Sequence, residues 1–159
     1  MNHKFPYKSI LIACSVNTAR SRMVEGYLKH FFAKKNQDIE VYSCGVASNA
    51  RDGMLISMDA KLAMKEIGIE LSDEALSKDL KKHRYLLNNV DLILTLTEQH
   101  KKEILKLKEA KNKEIYTLKE FAGESGDIDD PSMKGIQGFR IVRNEIEKCL
   151  IKGLQKYFC

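Results

Sequence analysis

Short apolar runs alternate along this chain with longer stretches in which apolar residues recur every three or four positions. That alternation admits few folds. Parallel strands need long return connections, and the helices that supply them must bury one face against the sheet. The spacing predicts strands over 9–14, 40–44, 91–95 and 114–117, and helices over 20–34, 54–67, 77–88, 98–108 and 138–157. The first and third strands are almost wholly apolar, as central strands covered on both faces are. In the last helix Phe139, Val142, Ile146, Leu150 and Leu154 line one face. The expected fold is α/β: one domain over 1–159, a doubly wound four-stranded parallel sheet with helices on both faces. Ligands of such sheets bind beyond the carboxyl ends of the central strands.

Composition narrows the function classes. A chain of 159 residues with 43% hydrophobic and 31% charged residues can build one comfortable core, which excludes disorder as a whole-chain state. The net charge of +5 is spread over many segments, so no nucleic-acid partner is expected. The basic stretch Lys101, Lys102, Lys106, Lys108, Lys111 and Lys113 reads as solvated. Cysteines at 14, 44, 149 and 159 contain no C-x-x-C pair, which argues against structural zinc. Cys149 reads as core filler and Cys159 as a frayed terminal thiol; His3, His30 and His83 read as surface residues. The start of the chain lacks a signal-peptide pattern and no apolar run approaches the roughly 20 residues of a membrane span. A cytoplasmic location with reduced thiols is expected, with no membrane partner.

Strand 9–14 ends on Cys14 and the next helix begins near Arg20. Ser15, Val16, Asn17, Thr18 and Ala19 therefore form a connection where such a sheet binds ligands. The backbone N–H groups of this connection and the positive end of the helix favour negative charge, on a thiolate or on a bound anion. Arg20 adds a planar fork of donors suited to a tetrahedral oxyanion such as phosphate or arsenate. Ser21 can donate its hydroxyl proton to the sulfur. Attack of a thiolate on phosphorus makes a cysteinyl-phosphate, and the departing oxygen or nitrogen needs a proton. An exposed loop over 123–135, with three glycines, four acidic residues and Pro131, offers Asp130 as that acid, with Asp127 and Asp129 as alternatives.

Cysteine, five residues, arginine and serine, between an apolar strand and an amphipathic helix, resemble the phosphate-binding loop of the low-molecular-weight protein tyrosine phosphatase family. The resemblance covers almost the whole chain. Met23 and Glu25 match the family's following helix, and Ser43-Cys44-Gly45 is similar to its Ser-Ala-Gly strand end. Residues 91–99 resemble its third strand and next helix start. Asp130-Pro131, followed by Phe139, Arg143 and Glu145, resembles its general-acid loop and final helix. The resemblance implies a cysteine-dependent protein phosphatase that hydrolyses phosphoarginine or phosphotyrosine side chains through a cysteinyl-phosphate. Cys14, Arg20 and Asp130 would be catalytic. Ser15, Val16, Asn17, Thr18, Ala19 and Ser21 would bind substrate, and Ser43 would support the loop by bracing Asn17. The partner implied is a phosphorylated protein or peptide, met by a monomer. No cofactor and no metal are called for, because Arg20 and backbone donors can supply the charge stabilisation. Thr18 and the run 115–120 resemble the family's arginine phosphatase branch; a hydroxyl there suits a guanidinium N–H, whereas an apolar side chain suits an aromatic ring.

Four positions depart from the family pattern: Val16 stands for Gly, Ala19 for a second cysteine, Arg22 for Pro, and Ser132 for an aromatic residue. If the loop needs positive φ at position 16, valine forces an adjustment. Losing the neighbouring cysteine removes a protective disulfide partner of Cys14. The family's histidine brace of the asparagine is expected to be replaced near Asp73 or Glu74. Two alternatives share the loop. Asn17, Ala19, Arg20, Ser21, Met23, Glu25 and Gly26 are also similar to arsenate reductase loops, but where those enzymes carry relay thiols this chain has Thr95, Leu96 and Thr97. A non-catalytic phosphate-binding module would need neither Cys14 nor Asp130.

Overall fold

The computed structural model describes residues 4–158. Four parallel strands, β1 (Ser9–Cys14), β2 (Glu40–Gly45), β3 (Leu92–Thr95) and β4 (Glu114–Thr117), form one sheet in the order β2-β1-β3-β4. The helices are α1 (Arg20–Lys34), α2 (Met58–Lys65), α3 (Tyr85–Asn89), α4 (Glu98–Leu105), α5 (Leu118–Phe121) and α6 (Gly135–Leu154). Every residue of β1 is buried, as its unbroken apolar run requires. Because strand side chains alternate, Ile10, Ile12 and Cys14 enter one core with α1, α2, α5 and α6, while Leu11 and Ala13 enter the other with Leu86, Leu87 and Ile104. Cys14 pairs with Gly45 of β2, and Ala13 pairs with both Cys44 and Thr95. The carboxyl ends of the three strands nearest the middle thus meet at one edge.

Several predicted boundaries move, each for a local reason. β3 begins at Leu92 because the Asp91 carboxylate accepts the N–H groups of Lys8 and Ser9 instead of continuing the strand. The helix expected over 54–67 begins at Met58, behind Ser57, whose hydroxyl caps the Ala60 N–H and whose own N–H is spent on Thr18 O. The helix expected over 77–88 reduces to a 3-10 turn, Leu80–Lys82, and the short α3. There the Ser77 hydroxyl accepts from Met54 N–H and donates to Arg51 O, and Asp79 N–H donates to Asp52. Residues 98–108 are helical only to Leu105, and the final helix runs from Gly135 to Leu154 rather than over 138–157. Helix α5 adds an element to those predicted, closed by a capping box between Thr117 and Glu120. Among the described residues no helix is long and apolar enough to cross a membrane.

Candidate active site

Cys14 ends β1 with 3% of its surface exposed. The connection that follows is held from three sides. Val46 N–H donates to Cys14 O at 2.9 Å and Ala47 N–H to Ser15 O at 3.0 Å, from the chain after β2; Ser57 N–H donates to Thr18 O at 2.9 Å. These bonds consume carbonyls. Among the described residues, the backbone N–H groups of Ser15 to Ala19 donate to no protein acceptor, which leaves five donors unspent in the connection that follows Cys14.

The loop's left-handed residue is Asn17, at φ 65°, and not Val16. Asparagine tolerates that region, so valine at position 16 imposes no adjustment of the kind anticipated. Asn17 is almost fully buried and all its polar atoms are used. Its Nδ2 donates to Ser21 Oγ at 2.8 Å and to Ser43 Oγ at 2.9 Å, and its Oδ1 accepts Lys78 N–H at 3.0 Å. Ser21 Oγ lies 2.9 Å from Cys14 Sγ. The brace expected near Asp73 or Glu74 is elsewhere. Asp73 is exposed and paired with Lys61, Glu74 lies out in solvent, and the Lys78 backbone does the bracing. Gly45 permits the close approach of β2 to the loop, since a Cβ there would sit 2.8 Å from Ser15 O and 3.0 Å from Val16 Cα.

Arg20, 7% exposed, donates through Nη1 to Ile128 O at 2.8 Å and through Nη2 to Ser15 Oγ at 3.4 Å, and forms no ion pair among the described residues. A buried guanidinium without a carboxylate partner is suited to an incoming anion. Its bond to Ile128 ties the acidic loop to the start of α1, because Ile128 is fully buried and donates its N–H to Leu96 O at 2.9 Å. Of the three acids offered by that loop, Asp127 accepts Glu98 N–H at 2.8 Å, Asp129 is exposed, and Asp130 accepts Ser132 N–H at 3.0 Å. Partial burial pushes the Asp130 carboxyl up, but Ser132, Arg20 and Lys134 outweigh it and hold the group below its ordinary value. The Thr18 hydroxyl makes no hydrogen bond to the described residues, and Thr18 and Ala19 are half-buried.

His100 joins the site although its sequence position gave it no role. Its Nε2 lies 2.8 Å from Ser15 Oγ, and it is 5% exposed. Burial, then the nearby Arg20 charge, push its pKa down from 6.5 to about 4, so the ring is neutral at pH 7. The signal was available in principle: His100 sits in the first turn of the helix that leaves the carboxyl end of β3. It lines a cleft of about 460 Å³ with Ser15, Arg20, Ser48, Gln99 and Asp127, beside the connection after β1; Asp130 is not among the residues that line it.

Comparison with known proteins agrees with this geometry. The sequence model of the family described as low molecular weight phosphotyrosine protein phosphatase matches residues 9–157. The protein-arginine-phosphatase of Geobacillus stearothermophilus is 37% identical over 152 residues, 95% of this chain and 96% of that protein. The solved structure of that YwlE arginine phosphatase superposes with a TM-score of 0.81, covering 95% of this chain and 92% of the other. A solved YwlE mutant described as carrying a phosphorylated active-site serine is 30% identical, with a TM-score of 0.81 over 93% of this chain and 96% of that one. An arsenate reductase of Shouchella clausii is 38% identical over 89 residues, 56% of each chain.

Proposed function

Because this chain belongs to the low-molecular-weight phosphotyrosine protein phosphatase family and is therefore a cysteine-dependent protein phosphatase, we propose that its reaction runs through Cys14, Arg20 and Asp130. The observation that carries the reading is that Cys14 ends β1 just before a connection whose N–H groups, Ser15 to Ala19, are unspent, with Arg20, on Ser15 Oγ, in no ion pair among the described residues. The Cys14 thiolate attacks phosphorus in line with the bond to be broken. The S–P bond forms as the P–O or P–N bond to the substrate side chain breaks, and Asp130 gives its proton to the departing atom. The loop N–H groups and Arg20 bind the equatorial phosphoryl oxygens, where charge gathers. Water then displaces sulfur from phosphorus, with Asp130 taking the water's proton. Asp130 is ionised at neutral pH in the free protein, so its acid role depends on the substrate: a phosphate dianion alongside raises a carboxyl's affinity for its proton.

Phosphoarginine is the substrate side chain proposed. The free Thr18 hydroxyl, Ser132 in place of an aromatic residue, and the 37% identity to an arginine phosphatase support it. The arsenate-reductase alternative would need relay thiols. Cys44 and Cys149 are buried; Cys44 faces the core opposite to the one Cys14 enters, and Cys159 lies outside the described residues. The same reading has the whole chain acting as one domain and as a monomer, in the cytoplasm, on phosphorylated proteins. Acid quench during turnover should trap labelled phosphate on Cys14, and Cys14→Ser should abolish turnover. Full activity in that variant would remove Cys14 from the mechanism.

A further inference from the structure

Both contacts of the Arg20 guanidinium trace back to the residues that leave β3. Leu96 donates its N–H to Ala13 O at 3.1 Å and accepts Ile128 N–H at 2.9 Å, and Ile128 O in turn accepts from Arg20 Nη1. Thr97, the next residue, caps α4: its hydroxyl accepts the His100 N–H at 3.1 Å, and its carbonyl accepts from Thr95 Oγ1 at 3.0 Å. His100 Nε2 then lies 2.8 Å from Ser15 Oγ, the atom that accepts from Arg20 Nη2 at 3.4 Å. Two consecutive residues after one strand therefore set both terminal nitrogens of the fork.

Packing does not account for a histidine at position 100. The ring is 5% exposed, and its Nδ1 is buried without a hydrogen-bond partner among the described residues. A buried polar atom left unpaired costs stability that an apolar side chain of similar size would not. The one polar contact the side chain makes is that of Nε2 with Ser15. This contact is compatible with Arg20 in either tautomer, because a hydroxyl oxygen has two lone pairs: it receives the Arg20 proton whether its own proton goes to Nε2 or it also accepts from Nε2. Ser15 is half-buried beside an open cleft, and without His100 its hydroxyl would have the usual staggered rotamers to choose among. We infer that His100 is a positioning residue for Arg20: through Ser15 Oγ it fixes the second terminal nitrogen of the guanidinium, and with it the plane of the fork that takes an oxyanion. The inference rests on Arg20 being the residue that binds the phosphoryl group.

Charge explains why the residue in this place is an imidazole. A carboxylate so near Arg20 would pair with it and leave less of its charge for an anion, and a cation would repel it. Burial, then the Arg20 charge itself, push the His100 pKa down to about 4, which keeps the ring neutral at pH 7. The direct contacts of the guanidinium, a hydroxyl and a backbone carbonyl, are neutral as well. The two carboxylates near the ring, Asp127 and Asp130, accept instead from the N–H groups of Glu98 and Ser132. Arg20 is thus oriented on two sides by partners that leave its charge uncompensated.

The test is the dissociation constant of inorganic phosphate, measured by calorimetry at pH 7, with thermal unfolding followed alongside. His100→Leu should weaken phosphate binding about fivefold, the weight of one hydrogen bond, without lowering the unfolding temperature, since it also removes the unpaired Nδ1. Ser15→Ala cuts the same line without touching α4 and should weaken binding as much. In that background His100→Leu should add less than about twofold, because the line to Arg20 is already broken. His100→Gln, whose amide reaches the position of Nε2, should restore most of the affinity. His100→Asn ends short of Ser15 and should lose what His100→Leu loses, which keeps the test decisive if the leucine variant folds poorly. Wild-type affinity in both His100→Leu and His100→Asn, or losses that multiply in the double variant, would overturn the inference. So would a joint fall in affinity and unfolding temperature that His100→Gln does not reverse, which marks a merely structural residue. A wild type that binds no phosphate would defeat this inference and the proposed function together, whereas one that binds phosphate but hydrolyses no phosphorylated substrate would defeat the function alone.

Discussion

On the proposed reading, Thr18 is the residue on which substrate choice turns. Its side chain has no hydrogen-bond partner among the described residues, while its carbonyl is fixed by Ser57. If the hydroxyl meets a guanidinium N–H, Thr18→Ile should shift the kcat/KM ratio from phosphoarginine toward phosphotyrosine peptides, since a site built around a hydrogen bond discriminates strongly when the partner is lost. A wild-type preference for phosphotyrosine, unmoved by the substitution, would defeat the arginine reading and leave the phosphatase standing. Asp130 makes a second test. Asp130→Asn should slow hydrolysis of substrates with basic leaving groups by about 10²- to 10⁴-fold, and far less for a nitrophenolate that leaves unaided. Equal losses on both would mark Asp130 as structural. His100 carries a stability prediction with a definite sign. Its folded pKa of about 4 lies below its ordinary 6.5, so the unfolded chain binds the extra proton first as pH falls. The contribution is complete above 6.5 and is lost on the way down to about 4, worth at most about 3 kcal/mol. Arg20, Asp127 and Asp130 face this ring, so the measurement is the difference between wild type and His100→Gln. Wild type should lose more unfolding free energy across that window, and parallel curves would contradict the assignment.

At the scale of elements, the packing of α5 on α6 depends on one missing side chain. A Cβ on Gly153 would lie 2.2 Å from two ring carbons of Phe121, which is itself 7% exposed and has no room to swing away. Gly153→Ala should therefore destabilise the fold by about 1 to 3 kcal/mol, the usual cost of overpacking, although alanine is the better helix former. A gain in chemical-denaturation midpoint would show that the ring relocates freely. Helix α5 is not among the elements predicted, although its capping box was legible: Thr117 and Glu120 stand three apart, directly after a strand. The failure of the helix over 77–88 was not legible. Its apolar spacing is helical, but Ser77 and Asp79 spend their hydrogen bonds on the chain over 51–54, and such competition is invisible in periodicity.

Across the whole molecule, the amino-acid sequence by itself determined the four strands, the parallel α/β architecture, and the segment proposed to carry the chemistry. Those are properties of local pattern: period two against period three to four, two central apolar runs, and a cysteine and an arginine six residues apart around a strand-to-helix turn. The resemblance to a phosphatase family was legible for the same reason, since its loop is contiguous. Tertiary structure alone decided what surrounds that loop. Ser15 and His100 are 85 residues apart, Arg20 and Ile128 are 108 apart, and Asn17 and Lys78 are 61 apart. Each pair meets because the parallel order β2-β1-β3-β4 brings the carboxyl ends of all four strands, and the segments that leave them, to one edge. The sequence names the donors and acceptors available there but not their pairing. That depends on which side chains the packed sheet places within about 3 Å of each other, a condition set by the whole fold at once.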